Sequence, residues 1–331
     1  INYTQGSVAA NGLVSVDSLE TIEFSNKTTL TINALSGSDT INLNNPSTPT
    51  GLTGITVNGG DPTGSDTVIV NGTTGLDTVV IDTLTIDGAR VTGLGPVVNV
   101  STAEHLTYNG GGGSDSLTVT TPAGLQLITV TPGPLPDQGT ISLRQSSGLG
   151  GSPLLGVSFI GLGASGDLTF ADAAGPAVRA DKLTVNGRDS ANGSEIFIVS
   201  ASGDVVLSEP TGGVGNTVLV TVHTPGITAL RLNGLAGDDV FNVPGNNPFT
   251  GGTTTGIFID GGDPSASDIV NFTAAGAAVS VDLQAHTVVQ AGSPAVTYTG
   301  VEILNVNATN NALSVTATAG ADDVVEITIP V

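Results

Sequence analysis

The stretch from Leu230 to Phe272, LRLNGLAGDDVFNVPGNNPFTGGTTTGIFIDGGDPSASDIVNF, contains one supersecondary unit written twice. A short alternating segment (Leu230 and Leu232, then Ile257 and Ile259) runs into Asn-Gly or Asp-Gly. A Gly-rich turn carrying Asp239 or Asp268 follows, and then a second alternating segment, Val240–Val243 or Ile269–Phe272. The same unit stands at Leu30–Leu43, Ile55–Val70, Leu106–Val119 and Leu183–Val199. A chain assembled from one such unit must stack neighbours to bury its apolar face, so it is a repeat array. Its function is expected in its shape more than in one pocket.

The spacing of the segments narrows the fold. Short apolar stretches begin near residues 30, 55, 79, 106, 128, 157, 183, 205, 230, 257, 279, 303 and 327, in steps of about 22 to 29 residues. A second set near 41, 68, 117, 141, 168, 196, 218, 241 and 269 keeps similar spacing. Abundant Val, Ile and Thr with frequent Gly, Asn and Asp reads as all-β with many turns, and no helical periodicity is present. The expected fold is a β-solenoid, a right-handed parallel β-helix with ~25-residue coils stacked ~4.8 Å apart, roughly 60 Å long. The alternative is a string of antiparallel β-sandwich modules of about 100 residues each. The recurrence of the pattern of 29–70 at 229–270 suits that alternative as two module lengths. Asn-Gly between alternating strands is also the strongest hairpin signal, so the Asn-Gly turns separate the two.

Three parts are expected: repeat arrays at 1–119 and 183–331, and an irregular Gly- and Pro-rich part at 120–182 with TPGPLPDQG and SSGLGGSPLLG as loops. Arg144, Arg179, Lys182 and Arg188 lie in or near that middle part, more than half of the seven Lys and Arg. They read as surface charges, or as a contact for an acidic neighbouring copy. Glu20, Glu104 and Glu302 recur in one register, each just before a repeat unit, which points to a shared structural hydrogen bond. The segment 301–327 aligns with 19–43, so the end echoes the beginning. With Ile1 as first residue, this reads as a mature or excised segment of something longer, or as a subunit that stacks end to end. Val324–Val331 alternates cleanly and is the expected joint.

A net charge of -22 argues against nucleic acid and anionic lipid as partners, since both require a basic footprint. It suits solubility, cation binding and an extracellular or cell-surface setting. No apolar run approaches the ~20 residues of a membrane span, so no membrane insertion is expected.

The chemistry-bearing motif is Gly-x-Asp before an alternating strand: Gly37/Asp39, Gly64/Asp66, Gly75/Asp77, Gly113/Asp115, Gly237/Asp239 and Gly320/Asp322, with Ala266/Asp268 and Gly193/Glu195 as variants. Here the chain resembles the glycine-aspartate repeats of secreted bacterial calcium-binding proteins of the RTX class, in which Gly forms the turn and Asp with backbone carbonyls holds Ca²⁺. Gly110–Thr118 fits that nonapeptide fully; elsewhere Leu35, Pro62, Leu235 and Pro264 replace the second Gly, and the motifs stand some 25 residues apart rather than consecutively. More loosely the chain is similar to the acidic Gly/Asp-rich repeats of bacterial surface adhesins. The resemblance implies calcium, with no cofactor required, at Asp115 first and at Asp39, Asp66, Asp239 and Asp268. Turn closure by each Asp on its own backbone is the competing role.

An enzyme is not expected. Trp is absent, the three Tyr are scattered, and His105, His223 and His286 stand without a paired Ser, Cys or metal-spaced neighbour. The expected function is an extracellular structural repeat protein, a self-assembling subunit or segment of a surface fibre, sheath or layer whose partners are other copies of itself. The alternative is an adhesin stalk or recognition module that binds glycan or a host protein through the loops of 120–182.

Overall fold

The computed structural model describes residues 1–44, 48–61, 65–146, 151–173, 181–188, 193–211, 215–251, 255–262 and 267–319. Among these residues there are strands and turns but no helix. The expected joint Val324–Val331, Asp322 and Arg179 lie outside the described residues.

The strands fall into two kinds of stretch. Single strands come as β4 (Thr29–Asn33), β5 (Thr40–Leu43), β6 (Gly54–Asn58) and β7 (Thr67–Asn71); β11 (His105–Asn109) and β12 (Ser116–Thr121); β16 (Asp167–Asp172) and β17 (Asp181–Asn186). Further along come β21 (Ile227–Asn233), β22 (Val240–Pro244), β23 (Gly256–Asp260) and β24 (Ile269–Thr273), then β28 (Ile303–Asn307) and β29 (Leu313–Thr316). Between these runs lie antiparallel three-stranded meanders. They are β1 (Asn2–Gln5), β2 (Gly12–Ser15) and β3 (Ile22–Phe24); β8 (Thr78–Thr85), β9 (Gly88–Thr92) and β10 (Val97–Ser101); and β13 (Gln126–Pro132), β14 (Gly139–Gln145) and β15 (Gly156–Ile160). The last two are β18 (Ile196–Val199), β19 (Val205–Pro210) and β20 (Asn216–His223), and β25 (Val279–Asp282), β26 (Thr287–Gln290) and β27 (Val296–Thr299).

All of these strands belong to two sheets. One runs β29-β25-β26-β27-β23-β21-β17-β13-β14-β15-β11-β7-β5-β1-β2-β3, and the other β28-β24-β22-β18-β19-β20-β16-β12-β8-β9-β10-β6-β4. Single strands alternate between the sheets, and each pairs in parallel with the strand of the neighbouring coil, as β5 with β7 and β22 with β24. Four meanders interrupt this winding in the same way. Their first strand lies farthest forward and the third folds back: β8 pairs with β12 ahead while β10 pairs with β6 behind.

That device changes the repeat length. Parallel partners are 25 residues apart at Leu30/Ile55 and 29 at Val240/Ile269, close to the expected coil. Across a meander the separation grows to 38 at Val79/Leu117 and 55 at Ile128/Leu183. A uniform coil near 25 residues therefore holds only in the runs β4–β7 and β21–β24, the two stretches whose similarity is clearest in the sequence. The Asn-Gly and Asp-Gly turns at Asn58, Asn109, Asn186, Asn233 and Asp260 carry the chain from one sheet to the other and make no hairpins. Asp87-Gly88 does turn a hairpin, between β8 and β9.

Alternating side chains enter one core shared by both sheets. Because register is kept coil to coil, equivalent residues stack: Ile41, Val68, Leu106 and Val157 form one column. Phe197 and Phe241 stack with ring centroids 4.8 Å apart, in the offset range where aromatic pairs attract. The core passes through residues 119 and 182 without a break, so the Gly- and Pro-rich part is spliced into both sheets.

Candidate functional site

The Asp of each repeat sits where a strand begins, and the local sequence dictates what it can reach. After Asn-Gly the chain crosses between sheets through glycines with positive φ, such as Gly113 at 109° and Gly237 at 131°. This brings the Asp backbone N–H to the strand mouth, facing the next coil. An N–H there lies one residue outside the sheet ladder and, once buried, must find an acceptor. The acceptor is the carboxylate of the next coil.

Three such ladders run through the described residues. Asp39 N–H donates to Asp66 Oδ1 at 2.8 Å, and Asp66 N–H donates to Glu104 Oε2 at 2.8 Å. Asp77 N–H donates to Asp115 Oδ1 at 2.9 Å. The longest runs Glu195 to Asp239 (2.6 Å), Asp239 to Asp268 (2.7 Å) and Asp268 to Glu302 (2.8 Å). Glu104 and Glu302 thus make the shared structural bond that their register implied. Glu20 is exposed. Asp77 alone among the named residues also closes its own turn, accepting from Thr73 N–H at 2.6 Å. Ladder bonds, not turn closure, are the common role.

The same job is done by a residue that the motif does not reveal. Asp181, first in β17, accepts Gln126 N–H at 2.8 Å and the Thr121 hydroxyl at 2.7 Å. No Gly stands two residues before it; its signal is only an acid placed immediately before the alternating KLTVN. Asparagines add a parallel set of bonds, Asn58 to Asn33, Asn71 to Asn42, Asn109 to Asn71 and Asn233 to Asn186 at or near strand ends and Asn305 to Asn271 in mid-strand.

The carboxylates are crowded. Asp66, Asp115, Glu195 and Asp239 have no exposed surface. The second oxygens of Asp39 and Asp66 are buried with no hydrogen-bond partner among the described residues, while Asp115 has the Tyr108 hydroxyl beside it and Asp239 the Glu195 carboxyl. Those of Asp115 and Asp239 turn toward the Gly of their own Asn-Gly. A Cβ on Gly234 would collide with Asp239 Oδ2 and with the Gly261 carbonyl, and one on Gly110 with Asp115 Oδ2. Burial raises the carboxyl pKa of Asp115. Burial, then repulsion from Asp239, raises that of Glu195; burial raises that of Asp239, with repulsion from Asp268 adding to it and the bonds from Glu195 opposing it. Asp181 is pushed up to about 6 by burial, against the lowering effect of its two donors. No ion pair among the described residues involves the carboxylates of Asp39, Asp66, Asp115, Glu195 or Asp239. Such a stack has room for protons, or a cation, to relieve it.

The residues expected at calcium therefore occupy equivalent strand mouths, but in separate ladders: Asp39 with Asp66, Asp115 with Asp77, and Asp239 with Asp268. Among the described residues no three His, Cys, Asp or Glu side chains converge to hold a metal ion. His223 is not solitary: its Nδ1 lies 2.8 Å from Asp204 Oδ1 and its Nε2 3.9 Å from Asp167 Oδ2. Its ring partner is a carboxylate, and no hydroxyl bonds to it among the described residues as a nucleophile would. His286 stacks on Tyr298 at 5.6 Å. Compared with family models, curated proteins and solved structures, the chain matches none.

Proposed function

We propose that this chain is an extracellular structural protein: a right-handed β-solenoid of the parallel β-helix class that serves as a segment of a surface fibre, sheath or layer and associates end to end with copies of itself. The observation that carries the reading is coil-to-coil repetition of one donor and acceptor set. Strand backbone, ladder carboxylate and Asn amide recur together at successive levels, so the end of the stack presents what the next level would use. The outer strands fit this role. In β28 and β29, Ile303 and Leu313 are 43% and 37% exposed, whereas their partners one level back, Ile269 and Val279, are half-buried and buried. An open strand with an apolar face is a template for pairing. The net charge of -22 keeps sides of such rods apart and favours contact at their ends.

The test is native size against concentration by analytical ultracentrifugation, for wild type and for the double substitution Ile303→Lys and Leu313→Lys. Wild type should grow with concentration and the variant should stay at the mass of one chain with its melting temperature kept. A wild type that stays monomeric at the highest soluble concentration refutes the reading.

Calcium at Asp115, Asp39, Asp66, Asp239 and Asp268 is a companion reading. It is favoured by the buried second oxygens of Asp39 and Asp66, which lack a partner among the described residues, and by the burial of Asp115 and Asp239 beside other acids. In that role the ion adds stability to an existing ladder and does not create the fold. Glycan binding, the alternative function, is taken up below on strand residues of 120–182 and their neighbours.

A further inference from the structure

Only seven Lys and Arg occur in this acidic chain, and three of them line one groove. The groove has a volume of about 440 Å³ and crosses the outer face of β14, β13, β17, β21 and β23. Register places its walls. Arg144 pairs across Leu127, and Leu127 across Lys182, so these three form one outward row. Two residues along, Ser142, Thr129, Thr184, Arg231 and Phe258 form the next. With strands ~4.8 Å apart, Arg144 and Lys182 stand roughly 10 Å from each other, and the whole groove spans roughly 19 Å along the stack.

The three cations are differently held. Arg231 is fixed in place, its Nε donating to Asn233 Oδ1 at 2.7 Å and its Nη2 to Asp260 Oδ2 at 2.6 Å. Arg144 and Lys182 make no ion pair among the described residues. Among the described residues two cations are thus uncommitted on either side of Leu127, next to a row of hydroxyls. Leu127, 42% exposed, and Phe258 supply apolar surface along the groove.

We infer that this groove binds a linear acidic glycan, a short run of uronate-type sugars lying along the stacking direction. Arg144 and Lys182 would take carboxylates, guanidinium being suited to bidentate contact. The Thr129, Ser142 and Thr184 hydroxyls match sugar hydroxyls, and Leu127 and Phe258 match the C–H faces of the rings. The volume falls within the range of pockets for small ligands. An acidic peptide is less suited. These are interior strands paired on both sides, so the groove has no free edge to which a peptide could add as a strand. This inference is independent of end-to-end assembly, which uses other strands.

Isothermal titration calorimetry of the whole chain with tetragalacturonate at 50 mM NaCl tests it. Binding is expected, about tenfold weaker in the double substitution Arg144→Gln and Lys182→Gln, abolished by 0.5 M NaCl as screening predicts, and absent for the fully methyl-esterified tetramer. No heat with wild type, equal affinity in the double variant, or equal affinity for tetraglutamate overturns the inference; the last result would make an acidic protein segment the occupant. Methyl NMR of wild type needs no variant. The tetragalacturonate must shift the Leu127, Thr129 and Thr184 methyl signals, and shifts confined to other parts of the chain refute the site.

Discussion

Replacing Asp181 by Asn and by Ala separates its hydrogen bonds from its charge. The carboxylate is 1% exposed and holds the Gln126 amide with one oxygen and the Thr121 hydroxyl with the other. Burial lifts its pKa from 3.8 to about 6. A folded-state value above the unfolded one means that folding favours the protonated form. Its contribution is therefore complete below about pH 4 and is lost as pH rises through about 6. Two units at 1.36 kcal/mol each make that loss about 3 kcal/mol by pH 8. Asn keeps an acceptor for Gln126 and cannot ionise. The Asp181→Asn variant should exceed wild type by only about 1 kcal/mol at pH 4.5 and by about 3 kcal/mol at pH 8. Ala also removes the charge but strands the Gln126 amide, while Thr121 retains the Ala171 carbonyl at 3.2 Å. The Asp181→Ala variant should thus stand about 1–3 kcal/mol below the Asn one at both pH values, the cost of one buried unsatisfied donor. Urea unfolding followed by circular dichroism, with hydrogen exchange of the peptide spanning β13 as the local probe, measures both differences. Identical pH slopes for wild type and the Asn variant would falsify the account of a buried, proton-favouring carboxylate. Equal stability of the Asn and Ala variants would remove the amide bond from it.

Gly234→Ala should destabilise by about 3 kcal/mol, because its Cβ meets the Asp239 carboxylate and the Gly261 carbonyl and the stack cannot widen; a melting temperature within a degree of wild type would contradict this. Leu35 and Leu235 hold φ values of 79° and 78° where Gly would be unstrained, and Leu35 is 72% exposed, so Leu35→Gly should stabilise by about 0.5–1 kcal/mol in thermal unfolding. Phe241→Ala removes one ring of the buried Phe197 pair and should cost about 3–5 kcal/mol by urea titration. Calcium at 1 mM should release measurable heat from EDTA-treated protein and raise its melting temperature at pH 8; no heat and no shift end the calcium reading.

Much of the fold was legible because local chemistry and tertiary need agree. Every expected strand start within the described residues lies in a strand, from Leu30 in β4 to Ile303 in β28, since a period of two marks a segment with one buried face wherever it ends up. Asn at strand ends and Asp after Gly-x were readable as repeated, and the recurrence of Glu104 and Glu302 pointed to a structural bond. Assignment of strands to columns was not legible. Residues 79 and 106 belong to successive steps in the sequence yet lie in opposite sheets, because the excursion through β9 and β10 alternates just as the single strands do. Periodicity reports that a face is buried and is silent on which neighbour buries it. The partners of the carboxylates were hidden for the same reason. Asp239 reads as a turn residue from its neighbours in sequence, but its acceptor for N–H is 29 residues away in Asp268. Asp181 carries no motif at all, and Arg144, Lys182 and Arg231 form one groove only because β14, β13, β17 and β21 are laid side by side. Sequence alone determined the strands, their buried faces and the turn residues, which depend on contacts within a few residues. Tertiary structure alone decided the ladders and the groove, which depend on register between coils up to 55 residues apart.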